Sequence, residues 1–279
     1  MHSPDTTDQR NLPVTTDRRQ AAGTILARPL GIILTAIGCG ILVAALTYYL
    51  ALPLLPPVPR VVDAVEANTA VVATILIPGV THSLIASLLF LVIALFLAWQ
   101  SGRLQHALAA GQQQRQNSSR RGFLRTGLGA RALGAPLSVM ALAALVIAYA
   151  GLLAYLQFRN FDDFFGAVFR AGAFWRVAAF LVFGLLAPVA EELMFRGWLW
   201  TALRRHWGGF LCTFVTGLLW MLTHFTEGPA KMAILAPIAL LLGIARQSSA
   251  SLRGPLLLHL ALNLTGLIAP FILRATGLG

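Results

Sequence analysis

The chain has 279 residues, of which 57% are hydrophobic and 11% are charged, and its formal net charge is +11. A soluble domain carries about 25% charged residues, so this composition excludes an ordinary soluble protein. The positive charge does not indicate nucleic-acid binding, because the arginines lie between long apolar runs, as they do in the loops of membrane proteins. We therefore expect a lipid bilayer around the chain, with anionic headgroups near the arginines and no nucleic acid.

Seven apolar runs predict an all-α, polytopic transmembrane helical bundle of about seven spans. Each run is close to the length of about 20 residues that a helix needs to cross a bilayer. The second run contains Pro78 and Gly79, which predict a kinked or tilted helix. In chain order the runs lie near 29–54, 71–99, 133–157, 173–195, 209–226, 231–247 and 255–273.

Polar segments divide the chain into three parts. Residues 1–28 are polar, lack hydrophobic periodicity and are predicted to form a disordered tail. The N-terminal transmembrane helices occupy 29–172 and are interrupted by a basic loop at 101–131. The remaining helices form a core over 173–272.

The distribution of arginine predicts the orientation in the membrane. Most arginines fall in the tail, in the basic loop and in the other segments on the same side of the seven predicted spans. By the positive-inside rule, that side and the N-terminus are cytoplasmic. Lys231 is the one lysine in an arginine-rich chain, which is typical of a bacterium with a GC-rich genome. The predicted location is therefore the bacterial inner (plasma) membrane.

The first polar cluster inside an apolar run begins with Glu191 and Glu192 and ends at Arg196. A charged residue at membrane depth costs about 2.5–3.5 kcal/mol, so its presence needs a reason. On a helix Glu192 and Arg196 are four residues apart and are expected to pair. Glu191 points elsewhere and is left as a desolvated carboxylate suited to general-base chemistry. A helix end at the membrane surface is the alternative explanation for this cluster taken alone.

The second and third clusters contain histidines. His224 ends the run that begins near Phe210, and alone it could be a packing residue with one hydrogen bond. His259 and Asn263 are four residues apart on one face of an apolar helix, so their donors could converge on one point. The alternative for this pair is an interhelical hydrogen bond that only holds helices together.

One polar cavity, in which the costly residues satisfy one another, explains all three clusters. The pattern Glu-Glu-x-x-x-Arg, aromatic-x-x-x-His and His-x-x-x-Asn resembles the CAAX-protease and bacteriocin-processing (CPBP, or ABI) family. The resemblance covers about residues 173–272, which we take as a CPBP-type catalytic helical core. The second motif starts with Trp220, where the family usually has phenylalanine.

The resemblance implies an intramembrane endopeptidase that cleaves a membrane-associated protein or peptide near its terminus. By the same resemblance, Glu191 and His224 activate the attacking water. His259 and Asn263 are implied to stabilise the oxyanion of the tetrahedral intermediate. These roles agree with general chemistry, because preorganised donors stabilise charge that develops in a transition state.

The resemblance also implies a supporting role for Glu192 and Arg196, which would hold Glu191 in place. Members of the family have been described both as metalloproteases and as glutamic proteases. Glu191, His224 and His259 could hold zinc and leave a coordination position for water. No His-Glu-x-x-His helix is present in the sequence, so we favour the metal-free, glutamic reaction without a cofactor.

The depth of these residues is a difficulty for one shared site. The limits of the runs place Glu191 toward the inner end of the fourth run and His224 toward the outer end of the fifth. A fourth helix that continues through Arg205, bent near Pro188, would place Glu191 near its middle.

Two other functions stay open from the sequence. Membrane carboxylates and histidines also form proton relays and ion sites in transporters, although paired halves with interrupted helices are not visible here. A non-catalytic protein of bacteriocin immunity, or one that escorts a partner, is the second alternative, since some relatives have such roles. Replacement of Glu191 with Gln separates these functions from proteolysis.

Overall fold

The computed structural model describes residues 15–54, 76–110, 136–158, 167–168 and 171–277. Within these ranges every long element is a helix and no strand is present, which confirms the predicted all-α fold. Seven helices of the described ranges follow the seven predicted runs in order. Their bounds are α1 Thr15–Ala51, α2 Ile77–Ala110, α3 Pro136–Phe158, α4 Ala173–Leu203, α5 Gly209–Leu222, α6 Pro229–Ser249 and α7 Arg253–Ala275.

Five of these helices, namely α1, α2, α4, α6 and α7, are long and apolar enough to cross a membrane. Large apolar side chains such as Tyr49, Phe174 and Phe210 are exposed on the outside, which suits contact with lipid. The fifth helix is different, because its 14 residues span only about 21 Å at 1.5 Å per residue. It is thus shorter than the hydrocarbon core of a bilayer, which is about 30 Å thick.

Two helices extend into segments that were predicted to be a tail or a loop. The α1 helix begins at Thr15, so the predicted disordered tail over 1–28 is helical from that residue onward. The α2 helix continues to Ala110 and so includes the start of the predicted loop at 101–131. Hydropathy marks where a helix lies in lipid, whereas backbone hydrogen bonds can continue into water along good helix formers such as Arg, Gln and Ala. The rest of both predicted segments lies outside the described residues.

Pro78 lies in the first turn of α2, a position where proline does not have to kink the helix as the sequence predicted. A backbone N–H in the first turn has no partner within the helix, so proline is tolerated there.

The α4 helix is continuous but contains two π-helical stretches, Phe180–Leu186 and Leu193–Leu199. In the first stretch the N–H of Ala187 donates to the carbonyl of Val182, five residues back. Pro188, which follows this stretch, has no backbone N–H to donate. Because α4 extends to Leu203, Glu191 lies in its interior rather than at its end.

Small residues bring the site-bearing helices close together. The α5 and α6 helices meet where Gly243 faces Thr213, and a Cβ built on Gly243 would lie 2.5 Å from the Thr213 methyl group. The Thr213 hydroxyl donates a hydrogen bond to the Gly243 carbonyl at 3.3 Å, so this side chain is not free to turn away. The α4 and α7 helices approach in the same way where Gly184 faces Leu264.

Replacement of Gly243 with Ala should destabilise the fold, because the new methyl group overlaps Thr213. We expect a cost of about 1–3 kcal/mol, the usual range for overpacking, measured as a lower midpoint of thermal unfolding in detergent. The matched control is Gly266→Ala, also in a helix, where a Cβ meets nothing within 4 Å. Equal midpoints for both variants would contradict the close α5–α6 contact.

Candidate functional site

A buried ion pair forms the base of the site. Arg196 Nη1 donates to Glu192 Oε1 at 2.9 Å, and both side chains are 0% exposed. Arg196 Nη2 donates to the carbonyl of Ala239 on α6 at 3.2 Å. The guanidinium carbon also lies 5.0 Å from the ring centroid of Trp220. Burial of both charges is tolerable because each has a partner and further polar contacts.

His259 joins this pair from α7. Its Nδ1 lies 2.9 Å from Glu192 Oε1, and its Nε2 lies 3.9 Å from Glu191 Oε2. An ionised carboxylate can only accept, so we assign the proton to Nδ1, which leaves Nε2 as the nitrogen facing Glu191. The imidazole is 3% exposed, so this arrangement is held inside the bundle.

Glu191 differs from Glu192 in its surroundings. Its side chain is 19% exposed, and its Oε2 accepts a hydrogen bond from Trp220 Nε1 at 2.5 Å. Within the described part of the chain no residue donates a hydrogen bond to Glu191 Oε1. One oxygen of this carboxylate is therefore held, and the other is open to a reactant.

His224 is near these residues but does not contact Glu191. It follows the end of α5, in a turn where its Nδ1 lies 3.2 Å from the Thr223 hydroxyl and 3.3 Å from the Trp220 carbonyl. Its Nε2 is 3.9 Å from Glu227 Oε1. The imidazole stacks edge-on against Trp220, with ring centroids 5.1 Å apart. Trp220, through its ring and its backbone carbonyl, connects His224 to the rest of the site.

Asn263 lies one turn beyond His259 on α7 and contacts the backbone of α4. Its Nδ2 donates to the carbonyl of Phe183 at 2.8 Å, within the first π-helical stretch of α4. One N–H of the Asn263 amide is occupied by this bond, and the second N–H is left for another acceptor. The structure therefore places this residue beside the site, with a structural contact that the sequence did not predict.

The structure brings five polar or aromatic residues into direct contact: Glu191, Glu192, Arg196, Trp220 and His259. Sequence reasoning missed the part played by Trp220. The sequence did indicate a possible hydrogen bond here, because tryptophan replaces the usual phenylalanine and its indole has a donor that phenylalanine lacks.

The residues named for a zinc site do not assemble one. Within the described ranges no group of three or more His, Cys, Asp or Glu side chains is placed to hold a metal ion. Glu191 and His259 are 3.9 Å apart, whereas the His224 ring nitrogen Nε2 faces Glu227. Zinc needs its ligand atoms to converge within about 2.0–2.2 Å of one point. Glu191 and His259 face each other, but His224 is turned toward Glu227, so the three residues do not converge on one point as they are arranged.

An apolar groove of about 440 Å³ lies between the first half of α4 and the second half of α7, and it is open to the outside, since Val177, Leu181 and Ile268 on its wall are exposed. Its wall carries one charged residue, Arg176, and none of the clustered residues described above. The lining consists of Ala173, Arg176, Val177, Phe180, Leu181, Ile268 and Phe271.

Comparison with known proteins identifies one family. Residues 173–265 match the family described as Rce1-like, type II CAAX prenyl endopeptidase. No curated protein and no solved structure matches the chain. The match covers less than half of the 279 residues and contains every residue of the cluster. The predicted resemblance is thus confirmed for residues 173–265, the part of this membrane-embedded helical chain that is similar to the CAAX endopeptidases of the CPBP type.

Proposed function

We propose that this protein is an intramembrane endopeptidase, and that it cleaves a membrane-associated protein or peptide near its terminus. The observation that carries the proposal is the contrast between two adjacent carboxylates. Glu192 is fully buried against Arg196 and His259, whereas Glu191 is partly exposed and has one open oxygen. Such a pair separates a structural carboxylate from a reactive one, as general acid–base chemistry requires.

In the proposed reaction, Glu191 accepts a proton from a water molecule through Oε1. The water oxygen forms a bond to the peptide carbonyl carbon, and negative charge develops on the carbonyl oxygen. Glu191 then returns the proton to the amine nitrogen as the carbon–nitrogen bond breaks. His259, fixed by Glu192 through Nδ1, can stabilise the oxyanion when Nε2 also carries a proton.

His224 and Asn263 fit the proposed reaction only with a rearrangement. To share the water with Glu191, His224 must give up its contacts with the Thr223 hydroxyl and the Trp220 carbonyl. Asn263 can keep its bond to Phe183 and still offer its second N–H to an oxyanion. Catalytic contacts often tighten only in the substrate complex, so both residues stay in the proposal.

The apolar groove between α4 and α7 agrees with a substrate that carries a lipid. A groove lined mostly by apolar side chains suits a hydrocarbon chain rather than a polar peptide, whether that chain belongs to a substrate or to the bilayer. The family description names prenylated CAAX substrates. We propose a substrate that carries a lipid anchor or a membrane-embedded terminus, and the chain's arginine-rich, bacterial-type composition favours an anchor other than a prenyl group.

Replacement of Glu191 with Gln should abolish cleavage, because the amide cannot accept the proton of the attacking water. We expect at least about a hundredfold loss of rate, the lower range for a general base. The measurement compares membrane proteins from cells with the wild-type chain and with the variant, and looks for an uncut precursor. Arg253→Gln is the control, since Arg253 is exposed at the start of α7 and lies outside the cluster.

This comparison also separates the alternatives. A transporter would lose flux in Glu191→Gln cells without accumulating any precursor. An escort or immunity protein would keep its phenotype, and either pattern would contradict the proposed proteolysis.

Arg196→Met should unfold the protein more readily than the double variant Glu192→Gln/Arg196→Met. The single variant leaves the buried Glu192 charge without its partner, which costs about 3–5 kcal/mol in other proteins. Removal of both charges takes away that penalty. Thermal unfolding midpoints in detergent measure the difference. A double variant no more stable than the single one would show that the ion pair is not what stabilises this region.

Asn263 has two separable roles, and two measurements on one variant distinguish them. Asn263→Ala should lower stability, because the hydrogen bond to the Phe183 carbonyl is lost, at a cost of about 0.5–1.5 kcal/mol, measured as a lower midpoint of thermal unfolding in detergent. If Asn263 also donates to the oxyanion, the variant cleaves about a hundredfold more slowly than the wild type even well below that midpoint. A folded variant that cleaves at the wild-type rate would leave Asn263 with a structural role alone.

A further inference from the structure

We propose that Trp220 is a positioning residue, whose indole N–H fixes the carboxylate of Glu191 so that one chosen oxygen faces the substrate. This inference rests on the proposed function and adds a residue to its machinery. Trp220 occupies the position where the resembled family usually has phenylalanine, and phenylalanine cannot make this contact.

The indole lies at the centre of the site rather than at its edge. Trp220 is 1% exposed, and its ring centroid is 5.1 Å from that of His224 and 5.4 Å from that of His259. Arg196 lies over the ring at 5.0 Å. These four contacts, counting the bond to Glu191, restrict the indole in every direction and so define where its N–H points.

The N–H of Trp220 is the one hydrogen-bond donor to Glu191 within the described ranges. A donor to an ionised acceptor makes a short, strong bond, so it can select one orientation of the carboxylate. With Oε2 held by the indole, Oε1 is the oxygen left for water. The indole is also neutral, so it orients Glu191 without supplying the positive charge that Arg196 supplies to Glu192.

The neighbouring glutamates are thus fixed by different means. Glu192 accepts from Arg196 and is bonded to His259, both through Oε1. Glu191 lies 3.9 Å from His259, which is too far for a hydrogen bond. Without the indole N–H, Glu191 would keep its place on α4 but would lose the contact that sets its side-chain torsions.

The first experiment removes only the N–H. Trp220 is replaced with Phe and, by site-specific incorporation, with 3-benzothienylalanine, which keeps the bicyclic shape but has sulfur in place of N–H. The full-length protein in liposomes is assayed with a quenched fluorescent peptide that carries a palmitoylated cysteine near its C-terminus, in keeping with the non-prenyl anchor proposed above. We expect kcat to fall by about tenfold in both variants, with KM unchanged, because the lost bond orients the base rather than binds the substrate. Trp175→Phe is the matched control and should leave both constants unchanged, since Trp175 packs in a separate cluster.

The second experiment observes the contact without any substrate. The chain has six tryptophans, so ¹⁵N-indole labelling gives six N–H resonances, and Trp220→Phe assigns the one of interest. Glu191→Gln should move the Trp220 resonance, because a neutral amide oxygen is a weaker acceptor than a carboxylate. Glu227→Gln should not move it.

The outcomes separate this inference from the proposed function. If the Trp220 resonance is the same in wild type and Glu191→Gln, or if kcat is unchanged in both Trp220 variants, the positioning role is wrong. If the resonance moves but the wild-type protein cleaves neither this peptide nor any Glu191-dependent precursor in cells, the hydrolase proposal fails. The catalytic meaning of the Trp220 contact then fails with it, although the contact itself stands.

Discussion

The bond from Arg196 to Glu192 is the constraint on which the arrangement of the site depends. Both groups are removed from solvent, so neither charge can be kept without the other. The same Glu192 oxygen contacts His259, and the same guanidinium contacts the backbone of α6 and the ring of Trp220. One ion pair within α4 therefore fixes the positions of groups on three other helices. Glu191 is not part of this ion pair and is held by Trp220, which is one of those groups.

The irregular backbone of α4 provides a second contact between helices. Asn263 on α7 donates to the carbonyl of Phe183, which lies inside the first π-helical stretch of α4. Hydrogen bonds from asparagine hold helices together within a bilayer, so this contact ties α4 to α7 at the level of the site. Gly184, one residue further, allows α7 to approach closely enough for the bond to form. A local defect in one helix thus becomes a specific attachment point for another.

Much of this site could be predicted from the sequence because charged and polar residues are costly in lipid. That cost singled out Glu191, Glu192, Arg196 and His259, and the four-residue spacing of Glu192 and Arg196 predicted their pairing. The other contacts could not be predicted, because their partners are backbone carbonyls or ring edges whose directions depend on packing. Asn263 bonds the carbonyl of Phe183, which lies in a π-helical stretch that the sequence did not predict. His224 turns toward Glu227 because α5 ends before it, and hydropathy does not mark helix ends.

The shortness of α5 has a consequence for the membrane itself. A helix of 14 residues cannot match an ordinary bilayer, and such a mismatch is relieved when the surrounding lipid becomes locally thinner. The end of this helix carries His224 and the exposed pair Glu227 and Lys231, groups that hold headgroups and water around themselves. A thinner bilayer beside Glu191 and Glu192 would bring the aqueous phase closer to these carboxylates. Water, the second reactant of the proposed hydrolysis, could then reach the site through a depression that the protein itself creates.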